Sequence, residues 1–162
     1  MPTLLYVRGC LVSFDALRCQ PVIAAQISHQ GGDHRLALQG NQATLLAAAE
    51  RALAQVSARQ TLESWSLASH NTPLCTHVGV QTDLRWVDEQ SRWPGLAALD
   101  RVETTRYSAD EPPQPQAVRY YPSSRATLKP AQATAAIRYH WAIENKFHWH
   151  LDVTLGGRVL SM

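Results

Sequence analysis

Two acidic residues that lie far apart in the sequence have surroundings suited to chemistry. Asp15 directly follows a short, mostly apolar and β-favouring run, Cys10 to Phe14, which is typical of a strand covered on both faces. Open α/β sheets bind ligands and place reacting groups at the carboxyl ends of their strands. Position alone leaves a second interpretation open, in which Asp15 only caps the following turn.

Glu144 lies in a stretch of helical periodicity near the end of the sequence. With a rotation of roughly 100° per residue, it points within about 20° of both Ile137 and Leu151. A carboxylate on the apolar face of a helix is costly to bury unless it is paired or bound to a metal. A buried ion pair with Arg138 or Lys146 is the structural alternative, although both of those side chains project away from this face.

A strand-end aspartate and a helix-face glutamate together are the groups that divalent-metal phosphoryl transfer requires. Mg²⁺ prefers hard oxygen ligands and keeps several of its waters. Two such ions about 4 Å apart can activate the attacking oxygen and stabilise the departing one. Three acids normally share this task, each on a rigid element, and the sequence offers two that are well placed, Asp15 and Glu144.

The histidines near the end of the sequence offer a different metal site. His140, His148 and His150, with Asp152, have the ligand types that zinc prefers. Their spacing fits no His-Glu-x-x-His pattern, and His148 and His150 face about 200° apart on a helix. The sequence therefore favours the hard-ion interpretation over zinc.

The elements that must position these residues follow an α/β order. A strand over 10–14 leads into a helix that Gln20-Pro21 opens, with proline near the first turn, and that Gly31-Gly32 ends. A second strand is expected from His34 to Leu38, and Asn41 is expected to cap a helix reaching about Val56. Strand, helix and strand in this order imply a right-handed crossover between parallel strands.

The middle of the chain, from about Gln60 to Arg125, shows no sustained helical period. The interpretation is an antiparallel β insertion, with an exposed loop at the proline-rich hexapeptide Asp110 to Pro115. Helical periodicity returns after Pro130 and extends through Ala131 to about Leu151. The expected strands of the insertion are Cys75–Val80, Leu99–Tyr107 and Ala117–Tyr121.

Composition limits the classes of protein that fit. The 162 residues are 45% hydrophobic and carry a formal net charge of +2, which is too mild to require a nucleic-acid partner and does not exclude one. No apolar run approaches the ~18 residues of a membrane span, and the first residues lack the order of a secretory signal. Three cysteines without CxxC spacing favour a reducing cytoplasm, with all three as buried free thiols. The five tryptophans could stack on bases, although core or partner surface is the commoner use.

Several segments then resemble one known family, in the right order and across nearly the whole chain. They are Phe14–Gln20 with Ile23–Ile27 and Gln30–Asp33, then Leu36–Gln42, Arg92–Leu96, Arg119–Ser124, and finally Ile137–Asn145 continuing through Phe147–Val153. Together they resemble the DDE transposases of bacterial insertion sequences, and more narrowly the ISAs family, which includes the H-repeat-associated proteins.

The resemblance implies a fold and a division of the chain. The expected fold is a partial ribonuclease-H-like α/β core with a β-rich insertion before the catalytic helix. Residues 1–59 would form the first part of the core, 60–127 the insertion, and 128–162 the helix that carries the catalytic glutamate. Transposases of this class act on the DNA of transposon ends in the bacterial cytoplasm, so the resemblance implies DNA as the partner and no membrane.

The same resemblance assigns roles to individual residues. Asp15 and Glu144 would be the second and third members of the acidic triad that binds Mg²⁺ or Mn²⁺. His140 and Asn145 flank that glutamate at positions where related proteins often carry a group near the DNA backbone. The neighbouring cations, Arg138 and Lys146, are included in the predicted DNA-binding set.

The sequence also departs from the family pattern. The first aspartate of the triad belongs to an Asp-Gly-Lys strand, and no Asp-Gly-Lys occurs in the sequence. Thr76–Val80 stands where the family has a basic stretch, and Gln39 where it usually has lysine. The expectation is therefore an incomplete and inactive transposase fragment. The alternative is a non-catalytic remnant that binds DNA weakly, or that self-associates through an uncovered sheet edge.

Overall fold

The computed structural model describes residues 6–14, 19–67, 71–88 and 92–139. These residues form one mixed six-stranded sheet with helices packed on its faces. The elements are β1 (Leu11–Phe14), α1 (Pro21–His29), β2 (Asp33–Leu36), α2 (Ala43–Leu53), β3 (Thr61–Leu67), β4 (Pro73–Gln81), β5 (Ala98–Arg106), β6 (Gln114–Ser123) and a helix over 130–139, termed α3.

The strand order of the sheet is β1-β2-β6-β5-β4-β3. The two strands β1 and β2 are parallel and are joined through α1, as the sequence predicted. All other neighbouring strands pair in antiparallel fashion, which confirms the antiparallel character expected for the middle of the chain. Because β6 lies beside β2, the strands of the middle segment extend the same sheet as the parallel pair.

Local residue chemistry explains where α1 begins and ends. Pro21 occupies the first turn, where its missing N–H group costs no intrahelical hydrogen bond. Beyond the helix, Gly31 adopts a positive φ of 75°, a left-handed conformation that favours glycine. A Cβ on Gly32 would lie 2.8 Å from the carbonyl oxygen of Val7, so this position has no room for a side chain. The predicted stop at Gly31-Gly32 is confirmed.

The second helix differs from the prediction at both ends. A 3-10 turn, Gly40–Gln42, precedes α2, so its N-cap is Gln42 and not Asn41. The helix ends at Leu53 and does not reach Val56. The predicted cap was wrong because the short turn moves the first helical residue by one position, from Gln42 to Ala43.

Two apolar clusters, one on each face of the sheet, hold the helices in place. The face covered by α1 and α2 (the α1/α2 face) includes Ile27, Leu36, Leu45, Leu53, Trp93 and Leu99. The opposite face (the α3 face) includes Val78, Val80, Ala98, Val102, Tyr121, Leu128 and Ala133. Among the described residues, no helix is long and apolar enough to cross a bilayer.

The prediction that all three cysteines are buried was wrong for one of them. Cys10 is exposed, while Cys19 and Cys75 are buried free thiols as expected. The proline-rich hexapeptide is exposed throughout, but its last two residues already belong to β6. Of the described tryptophans, Trp93 is buried, whereas Trp65 and Trp86 are exposed.

A buried ion pair joins the parallel pair of strands to the antiparallel part of the sheet. Nε of Arg35 on β2 donates to Oδ1 of Asp100 on β5 at 3.1 Å, and Nη2 donates to Oδ2. The guanidinium carbon lies 3.6 Å from the ring centroid of Tyr121 on β6, the strand between them. Burial raises the pKa of Asp100, and the charge and hydrogen bonds of Arg35 oppose that rise.

Removing one member of this pair should destabilise the fold strongly. We expect Asp100→Asn to lower the free energy of unfolding by about 3 kcal/mol or more, because it leaves the Arg35 charge buried without a counter-ion. The double variant Arg35→Met/Asp100→Leu should lose less than the single variant, since it removes both charges. Urea unfolding of the three chains measures the difference. Equal midpoints for the original chain and Asp100→Asn would contradict this role.

His34 on β2 is a second buried polar group, and it faces α1 and α2. Its Nε2 accepts a hydrogen bond from Nε1 of Trp93 at 3.4 Å, so the ring proton must lie on Nδ1. Within the described part of the chain, Nδ1 has no hydrogen-bond partner. Burial lowers the pKa of His34 from 6.5 to about 4, although the charge of Asp33 acts in the opposite direction.

This lowered pKa predicts a loss of stability in mild acid. The native state keeps His34 neutral, while the unfolded chain takes up a proton below pH 6.5, so stability is complete above that pH and falls towards pH 4. The loss due to His34 should reach about 3 kcal/mol at pH 4. The measurement is the difference in unfolding free energy between the original chain and His34→Gln across this range. A difference that stays constant with pH would contradict the prediction.

Candidate functional site

Most of the predicted site residues lie outside the described part of the chain. These are Asp15, Glu144, His140, Asn145 and Lys146, and the structure does not test whether they converge. The zinc alternative also falls there, since it uses His140, His148, His150 and Asp152. Arg138 is described, and its side chain is exposed near the end of the described part of α3.

The described elements do show how the two segments that lead to the acids are arranged. Leu36 is aligned with Phe14, the last residue of β1, and the N–H of Ala37 donates to the Phe14 carbonyl oxygen at 3.1 Å. Along β1, Val12 packs in the cluster of the α1/α2 face, and Ser13 is in register with Arg35, which contacts Asp100 on the opposite face. The side chains of β1 therefore alternate between the two faces.

The third helix packs on the α3 face of the sheet. Ala133 belongs to the apolar cluster of this face, and Ile137, one turn later, packs against the same cluster. Thr134, Ile137 and Arg138 line a groove together with Ala117, near the start of β6. The described part of the segment that leads to Glu144 therefore lies on the face of the sheet opposite α1 and α2.

A small polar pocket of about 190 Å³ opens beside the start of α2. Its walls include the first residues of that helix together with Pro21, Arg92 and Trp93. Nε2 of Gln42 donates to the Cys19 carbonyl oxygen at 3.3 Å, which ties the start of α2 to the chain that follows residue 18. No side chain caps this end of the helix, and N–H groups at a helix start favour negative charge.

A larger groove, of about 750 Å³, lies on the α3 face between the helix and the antiparallel strands. Arg119 on β6 and Arg138 on α3 both line it, and both side chains are exposed. Its other polar lining residues are Ser64, Ser66, Thr76, Thr104, Gln116 and Thr134. Among the residues that the structure describes, none of those lining the groove is acidic.

The acidic side chains of the antiparallel strands β3 to β6 do not line the groove. Glu63 and Glu103 belong to the row of registered residues that faces away from the groove. Nε1 of Trp65 donates to Glu63, and Nη2 of Arg101 donates to Glu103 at 3.2 Å. Asp100 is the acid that β3 to β6 place on the α3 face, and Arg35 neutralises it. The groove side of this sheet is therefore cationic, and the opposite side carries the carboxylates.

Sequence analysis missed the groove. Arg119 was quoted within a motif but was given no role, because the face on which a strand residue lies depends on pairing that was not known. Alternation along β6 was the available signal, since Ala117, Arg119 and Tyr121 share one face. Within the described residues, no group of three His, Cys, Asp or Glu side chains is placed to hold a metal ion.

Comparison with known proteins gives the family. No family model matches the chain. It is 34% identical over 159 residues to the "Putative protein YbfL" and 33% identical over 159 residues to the "H repeat-associated putative transposase YhhI", both of Escherichia coli K12. It is 30% identical over 161 residues to the "Putative transposase YncI" of Escherichia coli O157:H7. Each match covers 94% of this chain.

These matches define the class of the chain as a transposase-type protein of bacterial mobile elements. Within that class, it belongs to the family of the H-repeat-associated proteins, as the sequence motifs indicated. The chain spans about two fifths of the length of these relatives, 42% of the first two and 40% of the third. Its α/β sheet is compatible with the fold expected for the family.

Proposed function

We propose that this chain is part of a protein that cuts and joins DNA by metal-dependent phosphoryl transfer. Asp15 and Glu144 would be two of its metal-binding acids, on a ribonuclease-H-like core. The observation that carries the proposal is the similarity over 94% of the chain to relatives named as transposases. Its natural substrate would be the DNA at the ends of a transposon.

The arrangement of the described elements supports this assignment of acids. If the alternation of side chains along β1 continued by one residue, the side chain of Asp15 would be on the α3 face, as those of Leu11 and Ser13 are. The described part of α3 lies on that face. A helix that continued beyond Tyr139 would carry Glu144 further along its axis, since each helical residue adds 1.5 Å.

The chemistry of the proposed centre follows from its donor atoms. Carboxylate oxygens of Asp15 and Glu144 are hard ligands that suit Mg²⁺ or Mn²⁺. When bound, such ions activate an attacking oxygen and stabilise the departing one in an in-line displacement. His140, Asn145, Arg138 and Lys146 would bind and orient the phosphate backbone beside the acids, because these groups can donate hydrogen bonds to phosphate oxygens.

A second candidate function has an observation of its own. The family's first catalytic aspartate lies in Asp-Gly-Lys, and this tripeptide does not occur in the sequence. A chain with two of three acids fits a non-catalytic role, in which it binds DNA weakly or associates with itself. The edge strand β1 pairs with β2 alone among the described strands, so it could accept another strand.

Shared metal binding is the direct test of the two acids. We expect Asp15→Ala and Glu144→Ala each to weaken Mn²⁺ binding about tenfold, because one ion contacts both carboxylates. The double variant should weaken binding less than the product of the two single effects, since residues that share one partner are not additive. Electron paramagnetic resonance of free Mn²⁺ during titration provides the measurement.

The control for metal binding is Glu63→Ala, which removes an exposed carboxylate on the opposite side of the sheet. It should leave Mn²⁺ binding unchanged. If all three single variants bind as the original chain does, Asp15 and Glu144 are not metal ligands and the proposed centre is wrong.

Catalysis by this chain alone is expected to be absent. Loss of one acid usually leaves a two-metal centre unable to hold both ions in place, so the charge of the transition state is not stabilised. We expect no nicking of supercoiled plasmid with Mg²⁺ or Mn²⁺. Nicking that disappears in both Asp15→Ala and Glu144→Ala would contradict this inactivity and would identify the two residues as catalytic.

A further inference from the structure

We propose that the groove on the α3 face binds the phosphodiester backbone of a single DNA strand. The proposal deepens the proposed function, on which it rests for the identity of the ligand as DNA. It concerns a surface built by β3 to β6 and α3, and it needs neither Asp15, Glu144 nor a metal ion.

The separation of charge across the sheet favours a polyanion in this groove. Arg119 and Arg138 line it from two different elements, and Arg106 on β5 lies on the same face, in register with Leu74 of the lining. The carboxylates Glu63 and Glu103 lie on the other face. The groove therefore combines arginines with a described lining that has no acidic residue, which favours a polyanion although the net charge of the chain is only +2.

The polar lining offers the donors that phosphate contacts use. Hydroxyl groups of Ser64, Ser66, Thr76 and Thr104 come from three adjacent strands, and the side-chain amide of Gln116 comes from a fourth. Proteins bind DNA phosphates with arginine together with serine, threonine and glutamine side chains. Apart from Thr134, the remaining described lining is mostly apolar, which suits the sugars and bases that a strand carries between its phosphates.

The size of the groove favours one strand over a duplex. About 750 Å³ lies within the usual range for a ligand pocket, roughly 300–1,000 Å³. A duplex keeps the phosphates of both strands on its outside, across a major groove about 12 Å wide. A duplex would therefore contact the rim of the groove on the α3 face without entering it. A single strand can place its backbone along the groove, which Arg119 and Arg138 both line.

Binding of a fluorescein-labelled twelve-residue oligothymidylate, measured by anisotropy in EDTA, tests the proposal. We expect Arg119→Gln/Arg138→Gln to weaken binding at least tenfold at about 50 mM salt. The slope of log affinity against log salt should become shallower by about 1.4, which corresponds to two phosphates of a single strand. Ser66→Trp should also weaken binding several-fold, because it narrows the groove without changing the charge.

The matched control is Arg51→Gln, which is compared with the single variant Arg119→Gln and removes the same charge from an exposed position on α2, on the opposite side of the sheet. It should retain the original affinity. Equal losses in Arg51→Gln and in the groove variants would show a general charge effect and overturn the proposal. So would the absence of binding by the original chain, tighter binding of a matched duplex, or unchanged binding by Ser66→Trp together with the double arginine variant.

Two further measurements distinguish a loss of groove binding from unfolding of a variant and from a failure of the proposed catalytic function. Circular dichroism melts should show that each variant is folded. If Arg119→Gln/Arg138→Gln is not folded, the single variants Arg119→Gln and Arg138→Gln replace it, and each should weaken binding several-fold. Because EDTA removes divalent ions, oligonucleotide binding in this assay does not depend on the proposed metal centre. Groove binding without Mn²⁺ binding would refute the proposed catalytic function alone, and the reverse result would refute the groove alone.

Discussion

The structure depends most on the contact between Arg35, Asp100 and Tyr121. Direct strand pairing between β2 and β6 is short, with the single registered pair Arg35 and Ser123, supplemented by an isolated bridge between Leu38 and Tyr120. This is where the parallel pair of strands meets the antiparallel part of the sheet. Side-chain contacts must therefore supply much of the stabilisation that the backbone hydrogen bonds of a longer ladder would otherwise provide.

The junction is polar on both sides of the ladder. Ser123 Oγ donates to the His34 carbonyl oxygen at 2.9 Å, and Nε of Arg125 donates to Asp33 at 2.8 Å. An apolar junction of similar volume could be as stable, because burying two charges costs desolvation energy. A guanidinium held by a carboxylate and an aromatic ring, however, fixes one relative position of the strands. A fixed junction would matter for the proposed acids, which follow β1 and α3 in the sequence, because catalytic groups lose rate with misplacements as small as about 1 Å.

The sequence was most informative where the determinants are local. Pro21 and Gly31-Gly32 predicted both ends of α1, because proline geometry and left-handed glycine act within a few residues. The strand β3 was not predicted, since it lies at an edge and exposes Trp65 and Leu67, so it has no clear burial pattern.

Long-range contacts were not accessible to the same reasoning. Arg35 lies in a run of residues with strand propensity, and its partner Asp100 is 65 residues away. Nothing near either residue marks the pair, and the sequence alone gives no strand order. The groove could not be predicted for the same reason, because Arg119 and Arg138 come together only once β6 and α3 are packed. The acids at 15 and 144 were found through helical and strand patterns and through family motifs, and their convergence stays a prediction.

The two faces of the sheet differ in how much of each is covered by helices, and this difference explains the distribution of charges. The α1/α2 face buries much of the core, so near the helices it can tolerate few charges. The α3 face is only partly covered by the described part of α3, and the uncovered part is cationic and lined with hydroxyl groups. Along α3, the groove residues Ile137 and Arg138 lie near the end of the described residues. A DNA strand bound in the groove, as we propose, would therefore lie beside the segment that leads to Glu144, and the Arg35–Asp100 junction would keep the groove and β1 in a constant relative position.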